Sequence, residues 1–214
     1  MPVCPSCGRE NPGDARFCNA CGASLAAAAT IAEQRKVVTV LFCDLVGSTA
    51  LGESSDPEVV RARLTRTFED LRAILERHGG TVEKFVGDAV MAVFGIPISH
   101  EDDALRAVRA ASEMLEAVTA HGLEARIGVN TGEVVVGAEG RTLVTGDAVN
   151  VAARLEQAAP AGQILIGSET CLLVRGAADV EPVEPLLLKG KSAPVEVFRL
   201  VEVIGDAAPL ARHP

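Results

Sequence analysis

The hydrophobic pattern predicts a strand and then an amphipathic helix at the start of the main domain. The run VVTVLF after Lys36 is apolar and rich in β-branched residues, so it predicts a buried strand that ends near Asp44. Apolar side chains then recur at helical spacing between Asp56 and Gly80. Asp56 suits the N-cap of this helix, and the paired glycines at 79–80 suit its end.

The next segments predict a hairpin and a second helix. The stretches TVEKFVG and AVMAVFG predict two short strands joined at Gly87 and Asp88. An apolar stripe at helical spacing then predicts a helix that Gly122 closes. The aspartate between these two apolar runs is a candidate for function, because aspartate is disfavoured in strands and costly to bury without a partner.

The second half of the chain predicts mostly strands. EARIGVNTGEVVVG predicts two strands around Thr131 and Gly132, and GDAVNVAARLEQAA predicts a third helix. The remaining segments, including QILIGSETCLLV, predict mainly short strands. The order of elements from residue 36 therefore predicts an α+β fold, with a mostly antiparallel sheet and helices on one face.

Four cysteines near the amino terminus predict a separate small domain. They form two CxxC pairs that are separated by ten residues: Cys4, Cys7, Cys18 and Cys21. Four thiolates at this spacing suit a tetrahedral Zn²⁺ site, and so short a segment needs the metal to fold. A pair of disulfides is the alternative, which a cytosolic location disfavours. We expect a zinc ribbon over residues 1–25 and an Ala-rich linker over residues 26–35.

Composition narrows the possible classes of protein. The 214 residues are 48% hydrophobic and 23% charged, which is typical of a globular chain with a real core. A net charge of −9 and the absence of Trp and Tyr make nucleic acid an unlikely partner for the chain as a whole. No apolar run approaches the roughly 20 residues of a membrane span, and the first residues do not resemble a signal peptide. The sequence therefore predicts a cytoplasmic protein without a membrane segment.

Two aspartates are the first candidates for chemistry. Asp44 ends the first predicted strand, and Asp88 lies at the tip of the predicted hairpin. If these strands are neighbours, both carboxylates meet at one edge of the sheet, where a divalent cation would relieve their repulsion. Mg²⁺ binds through one or two carboxylates while substrate phosphates complete its coordination. The alternative is structural, with Asp44 capping a turn and Asp88 merely suiting the hairpin.

The third predicted helix carries a polar stripe on an otherwise small and apolar surface. Its members are Asp147, Asn150, Arg154 and Gln157, which are spaced to share one face. A face that only meets solvent is the simpler explanation. An asparagine and an arginine one turn apart can also hold a ribose and a phosphate.

Together these segments resemble the class III adenylate/guanylate cyclase catalytic domain, from about Lys36 to about Val203. The resemblance rests on four blocks in order: VTVLFCDLVGST, KFVGDAVMAVFG, ARIGVNTGEVVVG and TGDAVNVAARLEQA. It implies a ferredoxin-like cyclase fold over residues 36–204, followed by a loose tail over residues 205–214. It also implies conversion of ATP to cyclic AMP and pyrophosphate in second-messenger signalling, by attack of the ribose 3′-hydroxyl on the α-phosphate. The zinc knuckles are similar to the ribbon at the start of some bacterial members.

The resemblance implies a homodimer whose two sites lie between the catalytic domains. In each site, one chain would supply Asp44, Asp88 and the carbonyl of Leu45 to two Mg²⁺ or Mn²⁺ ions. Arg126 of the same chain would meet the triphosphate.

The resemblance assigns the other half of each site to the partner chain. There, Lys84 would contact the purine, Asn150 would orient the ribose, and Arg154 would stabilise charge at the α-phosphate. Lys189 would hold the terminal phosphates.

One position departs from the family pattern. Lys84 favours adenine, but the second base-reading position is Leu143, which has no hydrogen-bonding group. Thr142 and Thr145 lie close enough in sequence to substitute after a small shift. ATP is the expected substrate, and GTP use stays open.

Three other functions compete with an active cyclase. Leu143 motivates a weak or inactive cyclase-fold module that binds nucleotide or mediates dimerisation. Nucleic-acid binding by the ribbon is disfavoured by its balanced charges, and a diguanylate cyclase would need an acid where Ala89 stands.

Overall fold

A computed structural model describes residues 3–4, 6–12, 15, 17–23, 34–47, 56–86, 88–137, 144–187 and 193–204. The chain forms two compact units. One comprises residues 1–34 with 136–143, and the other comprises residues 35–135 with 144–214. Among the described residues, no helix has both the length and the apolar character needed to cross a membrane.

The larger unit is built on one mixed sheet. Its strands, in chain order, are β1 (Gln34–Val46), β2 (Thr81–Val86), β3 (Ala89–Phe94), β4 (Glu124–Val136), β5 (Val144–Thr145), β6 (Ile164–Gly167), β7 (Ala178–Pro182) and β8 (Val197–Val203). The order across the sheet is β2-β3-β1-β4-β6-β8-β7, and β5 pairs with β4. β3 runs antiparallel to both β1 and β2, and β8 runs antiparallel to β6 and β7, whereas β4 and β6 are parallel. The predicted α+β class is confirmed.

Within the described part of the chain, four helices accompany the sheet. They are α1 (Pro57–Arg77), α2 (Asp103–Ala120), α3 (Asp147–Ala158) and α4 (Ser168–Leu173). The predicted N-cap of α1 is confirmed, because the side chain of Asp56 accepts a hydrogen bond from the backbone N–H of Glu58 at 2.8 Å. The glycine pair also ends α1 as predicted, and Gly79 has a φ of +82° that favours glycine.

The helices lie on both faces of the sheet, so the expectation of helices on one face is wrong. Residues of α1 and α2 share a core cluster with Ile164 and Ile166 of β6. Leu165, between them in sequence, belongs to a second cluster with Val151 and Leu155 of α3. Because successive side chains of a strand point to opposite faces, α3 packs on the face opposite to α1 and α2.

Two sequence-based assignments are corrected by the structure. The segment EARIGVNTGEVVVG forms one continuous strand, β4, and not two strands joined by a turn. Gly132 does not form a turn: it allows α3 to pack closely against β4, because an added Cβ would lie 3.0 Å from the Cβ of Ala148. Thr131 is buried there, and its hydroxyl lies 2.9 Å from those of Thr39 and Thr170. The segment after Gly167, predicted as strand, forms the short helix α4.

Candidate active site

The strand register brings Asp44 and Asp88 to the same end of the sheet. Asp44 on β1 pairs with Ala89 on β3, and Asp88 immediately precedes β3. The backbone N–H of Leu45 donates to the backbone oxygen of Asp88 at 3.3 Å. Asp44 therefore lies on the strand that neighbours the turn holding Asp88, which confirms the predicted adjacency of the first strand and the hairpin.

Arg126 on β4 holds Asp44 through two hydrogen bonds. Its Nε and Nη2 donate to Oδ2 of Asp44 at 3.1 and 2.7 Å. The side chain of Asp44 is 17% exposed and that of Arg126 is 32% exposed, so the pair is partly shielded from water. Arg126 also donates through Nη1 to the backbone oxygen of Gln157 at 3.5 Å. A guanidinium thus already neutralises one of the two acids.

A third acid, Glu156 on α3, completes this cluster. Its Oε1 lies 2.7 Å from Nε of Arg126 as an ion pair, yet this oxygen is buried and makes no hydrogen bond. The residue is 6% exposed, because α3 passes close to β4 at Gly128. An added Cβ at Gly128 would lie only 2.3 Å from the backbone nitrogen of Glu156. The glycine therefore permits the approach that places Glu156 beside Arg126.

Burial and neighbouring charges shift the pKa values of this cluster. Burial raises the pKa of Glu156 to about 7, and the negative charges of Asp44 and Asp88 add to that effect while Arg126 opposes it. Burial disfavours the charge on Arg126, but its hydrogen bond to Asp44 and the charge of Glu156 outweigh burial and raise its pKa. Arg126 is therefore firmly protonated between Asp44 and Glu156.

Glu156 was missed by the sequence reasoning. The third predicted helix has mainly small and apolar residues apart from one polar stripe, and Glu156 lies outside that stripe, on the buried face. A signal was present, because Glu156 follows Ala148 and Ala152 at intervals of four on the face of small residues. An acid at such a position requires a partner, which is Arg126, 30 residues earlier in the chain.

Three residues assigned to the other half of the site are described by the structure, and all three are at least partly accessible. Lys84 on β2 and Asn150 on α3 are exposed, and Arg154 is half-buried with Nη1 donating to Oε1 of Gln157 at 2.7 Å. Leu143 and Lys189 lie outside the described residues.

Glu83, the half-buried acid beside Lys84, contacts strand β5. The register of β2 against β3 shifts between Val82 and Lys84, which marks a bulge at Glu83. Burial raises the pKa of Glu83, against the effect of a hydrogen bond from the backbone N–H of Val144 and the charge of Lys84. Glu83 thus joins β2 to β5.

The four amino-terminal cysteines form a compact cluster within the smaller unit. All four sulfurs lie within 4.8 Å of one another, with 3.6 Å between Cys4 and Cys21 and between Cys7 and Cys18. A tetrahedral zinc site with Zn–S bonds of about 2.3 Å has S–S edges of roughly 3.8 Å, so the cluster fits the metal. None of the four is in a disulfide.

Backbone hydrogen bonds shape both knuckles in the same way. The N–H of Gly8 donates to the oxygen of Cys4, and that of Gly22 donates to Cys18, each at 2.9 Å. The N–H groups of Ala20 and Cys21 lower the pKa of Cys18 to about 6, which favours the thiolate that zinc requires.

Comparison with known proteins identifies the family. The sequence profile of the adenylate and guanylate cyclase catalytic domain matches residues 30–202, and that of a zinc-ribbon domain matches residues 3–25. Adenylate cyclase 1 of Rhizobium meliloti is 30% identical over 187 residues, covering 79% of this chain and 28% of that protein. The chain spans about a third or less of the curated relatives that it matches.

Solved structures agree with this match. The adenylyl cyclase CyaB from P. aeruginosa is 34% identical with a TM-score of 0.77, covering 82% of this chain and 99% of that one. The guanylyl cyclase Cya2 is 35% identical with a TM-score of 0.72, covering 83% and 97%. Since the family profile covers most of the sequence, the chain belongs to the class III adenylate and guanylate cyclase family and carries a zinc ribbon in its amino-terminal region.

Proposed function

We propose that this chain is an adenylate cyclase that converts ATP to cyclic AMP and pyrophosphate in second-messenger signalling. The observation that carries the proposal is the pairing of β1 with β3, which brings Asp44 next to the turn that holds Asp88, with Arg126 bound to Asp44. Family membership supplies the class of reaction but not the base, because the relatives include both adenylyl and guanylyl cyclases. The catalytic domain is proposed to span residues 36–204, in the cytoplasm.

The donor set suits Mg²⁺ or Mn²⁺. Asp44 and Asp88 offer hard carboxylate oxygens at one end of the sheet, and Leu45 adds a backbone carbonyl. Asp44 already binds a cation, the guanidinium of Arg126, which supports the view that this end of the sheet favours positive charge. When bound, such ions lower the pKa of an attacking hydroxyl and neutralise charge on the phosphates.

Each chain contributes two groups of residues, which we assign to two different sites of a homodimer. Arg126, beside the carboxylates, is expected to bind the triphosphate of ATP. Asn150 and Arg154 project from α3 and would act on a nucleotide held mainly by the partner chain, orienting the ribose and stabilising charge at the α-phosphate. Lys189 is proposed to bind the terminal phosphates. The accessibility of Asn150 and the partial exposure of Arg154 support this role, because groups that act across an interface must be reachable.

Adenine recognition is assigned to Lys84. Its neighbour Glu83 accepts a hydrogen bond from Val144, so β2 is tied to the segment next to position 143. Leu143 offers no hydrogen bond to a base, and a lost pair of this kind is worth about 1–3 kcal/mol of discrimination. Because Leu143 weakens the discrimination between the two bases, GTP is a second candidate substrate, and we expect ATP to be preferred only modestly.

The proposal is tested by product formation. Purified protein incubated with Mn²⁺ and equal ATP and GTP should form cyclic AMP in excess of cyclic GMP, measured by mass spectrometry. Asp44→Asn should lower turnover at least roughly a hundredfold because a metal ligand is lost. Asp179→Asn, on β7, is a matched control that should retain activity. Nucleotide binding without any product, in folded and dimeric protein, would instead support an inactive binding module.

A further inference from the structure

Glu156 is a buried acid for which the proposed reaction has no role. The residue is 6% exposed, and its Oε1 makes no hydrogen bond although it lies 2.7 Å from Nε of Arg126. A buried carboxylate oxygen without a hydrogen bond is costly, because it has lost water without a full replacement. The hydrogen-bond partner that this oxygen lacks is therefore expected in another state of the protein.

Arg126 lies between two acids and is fully engaged by only one of them. Its Nε and Nη2 both donate to Oδ2 of Asp44 at 3.1 and 2.7 Å. Its Nε lies closer to Oε1 of Glu156, at 2.7 Å, than to Asp44, but the N–H bond is directed toward Asp44. A turn of the guanidinium, without displacement of either helix or strand, would transfer the hydrogen bond from Asp44 to Glu156.

A divalent cation on Asp44 would favour such a transfer. The guanidinium occupies Oδ2 of Asp44, and two cations on one carboxylate repel each other. A metal ion on this carboxylate would therefore weaken the hydrogen bonds from Arg126 and favour its departure. If no other acid were nearby, the partly buried guanidinium would then have no negative partner, which costs free energy.

We propose that Glu156 is a positioning residue that receives Arg126 when a divalent cation binds Asp44. The inference rests on the proposed metal site and deepens the account of it. In the metal-free protein Arg126 directs its hydrogen bonds to Asp44 and meets Glu156 only as an ion pair, and in the metal-bound protein it directs them to Glu156. The exchange also frees Nη2 from Asp44, so that it becomes available to a phosphate. Glu156 thereby lowers the cost of metal binding.

A double-mutant cycle on metal affinity tests the exchange without catalysis. Free Mn²⁺ is measured by electron paramagnetic resonance at pH 8 in the absence of nucleotide, for the wild type, Glu156→Gln, Arg126→Gln and the double variant. We expect Glu156→Gln to weaken Mn²⁺ binding roughly tenfold, because Arg126 then stays on Asp44. In the Arg126→Gln background the same change should have less than about a twofold effect, since no competing cation remains.

Controls separate this exchange from a general loss of negative charge. Glu133→Gln removes an acid that pairs with Arg35 at 3.2 Å and should leave Mn²⁺ affinity unchanged. Glu156→Asp keeps the charge and should restore part of the affinity. An equal weakening by Glu156→Gln in both backgrounds, or no weakening in either, would overturn the proposal. A protein that shows the coupling but forms no cyclic nucleotide would refute the proposed function alone.

Discussion

Substituting Gly128 with alanine should push helix α3 away from the sheet. The added Cβ would lie 2.3 Å from the backbone nitrogen of Glu156 and 2.4 Å from the backbone oxygen of Ala152. Both atoms belong to a helix backbone, so neither can turn aside as a flexible side chain would. Restoring an ordinary contact of 3.4 Å requires a shift of 3.4 minus 2.3, or about 1.1 Å.

The cost of this shift can be worked out from the packing. Overfilling a well-packed core costs about 1–3 kcal/mol, and a clash with rigid backbone belongs at the upper end of that range. For a chain of this size, 1 kcal/mol corresponds to about 2–4 °C in Tm, so we expect a fall of roughly 6–12 °C. Turnover should fall by about a hundredfold, because α3 carries Asn150 and Arg154 and a misplacement of about 1 Å is costly.

Calorimetry and cyclic AMP formation measure the two effects. Gly132→Ala is a matched control on the same strand, because its added Cβ would lie 3.0 Å from the Cβ of Ala148 and 3.9 Å from its Cα, so it demands a much smaller shift of α3 than Gly128→Ala does. We expect this control to cost less than about 1 kcal/mol. Wild-type Tm and turnover in Gly128→Ala would show that α3 does not press against β4, and would refute the reasoning.

Three further predictions address other parts of the chain. Cys18→Ser should abolish the single bound zinc expected per chain, measured by plasma mass spectrometry, whereas Cys171→Ser outside the cluster should retain it. The hydrogen bond from His78 lowers the pKa of Glu113 below 4.5, so its stabilisation is complete above that pH and is lost as pH falls through the lowered pKa. Glu113→Gln should therefore flatten the fall of Tm below pH 4.5, and an unchanged acid profile would contradict the pairing. Lys84→Glu should shift the preference toward GTP by at least about tenfold in kcat/KM, and an unaltered ratio would remove Lys84 from base recognition.

Local patterns explain why much of the fold could be predicted. Strand β1 and helix α1 have clear periodicity and end signals, and Asp44 and Asp88 each lie where a strand begins or ends. Neighbouring elements in sequence usually pair in space, so the pairing of β1 with the hairpin strand β3 followed from the order of elements.

The missed features depend on contacts between distant residues. Gly132 resembled a turn glycine, but it is needed where Ala148 packs against β4. Glu156 resembled part of an ordinary helix, because its partner Arg126 lies on a strand that only the folded sheet brings close. The same holds for the bond between Arg126 and Asp44, which are 82 residues apart. The spacing of residues along the sequence does not reveal such long-range contacts, because they depend on how the strands and helices pack.

Complementation between two inactive variants tests most directly whether the carboxylate half and the α3 half of the site come from different chains. Asp44→Asn and Arg154→Ala should each be nearly inactive alone. In an equal mixture that exchanges subunits, half of the dimers are mixed and each has one intact site, so activity should recover to about a quarter of the wild-type value. A mixture that forms mixed dimers but stays inactive would contradict the account.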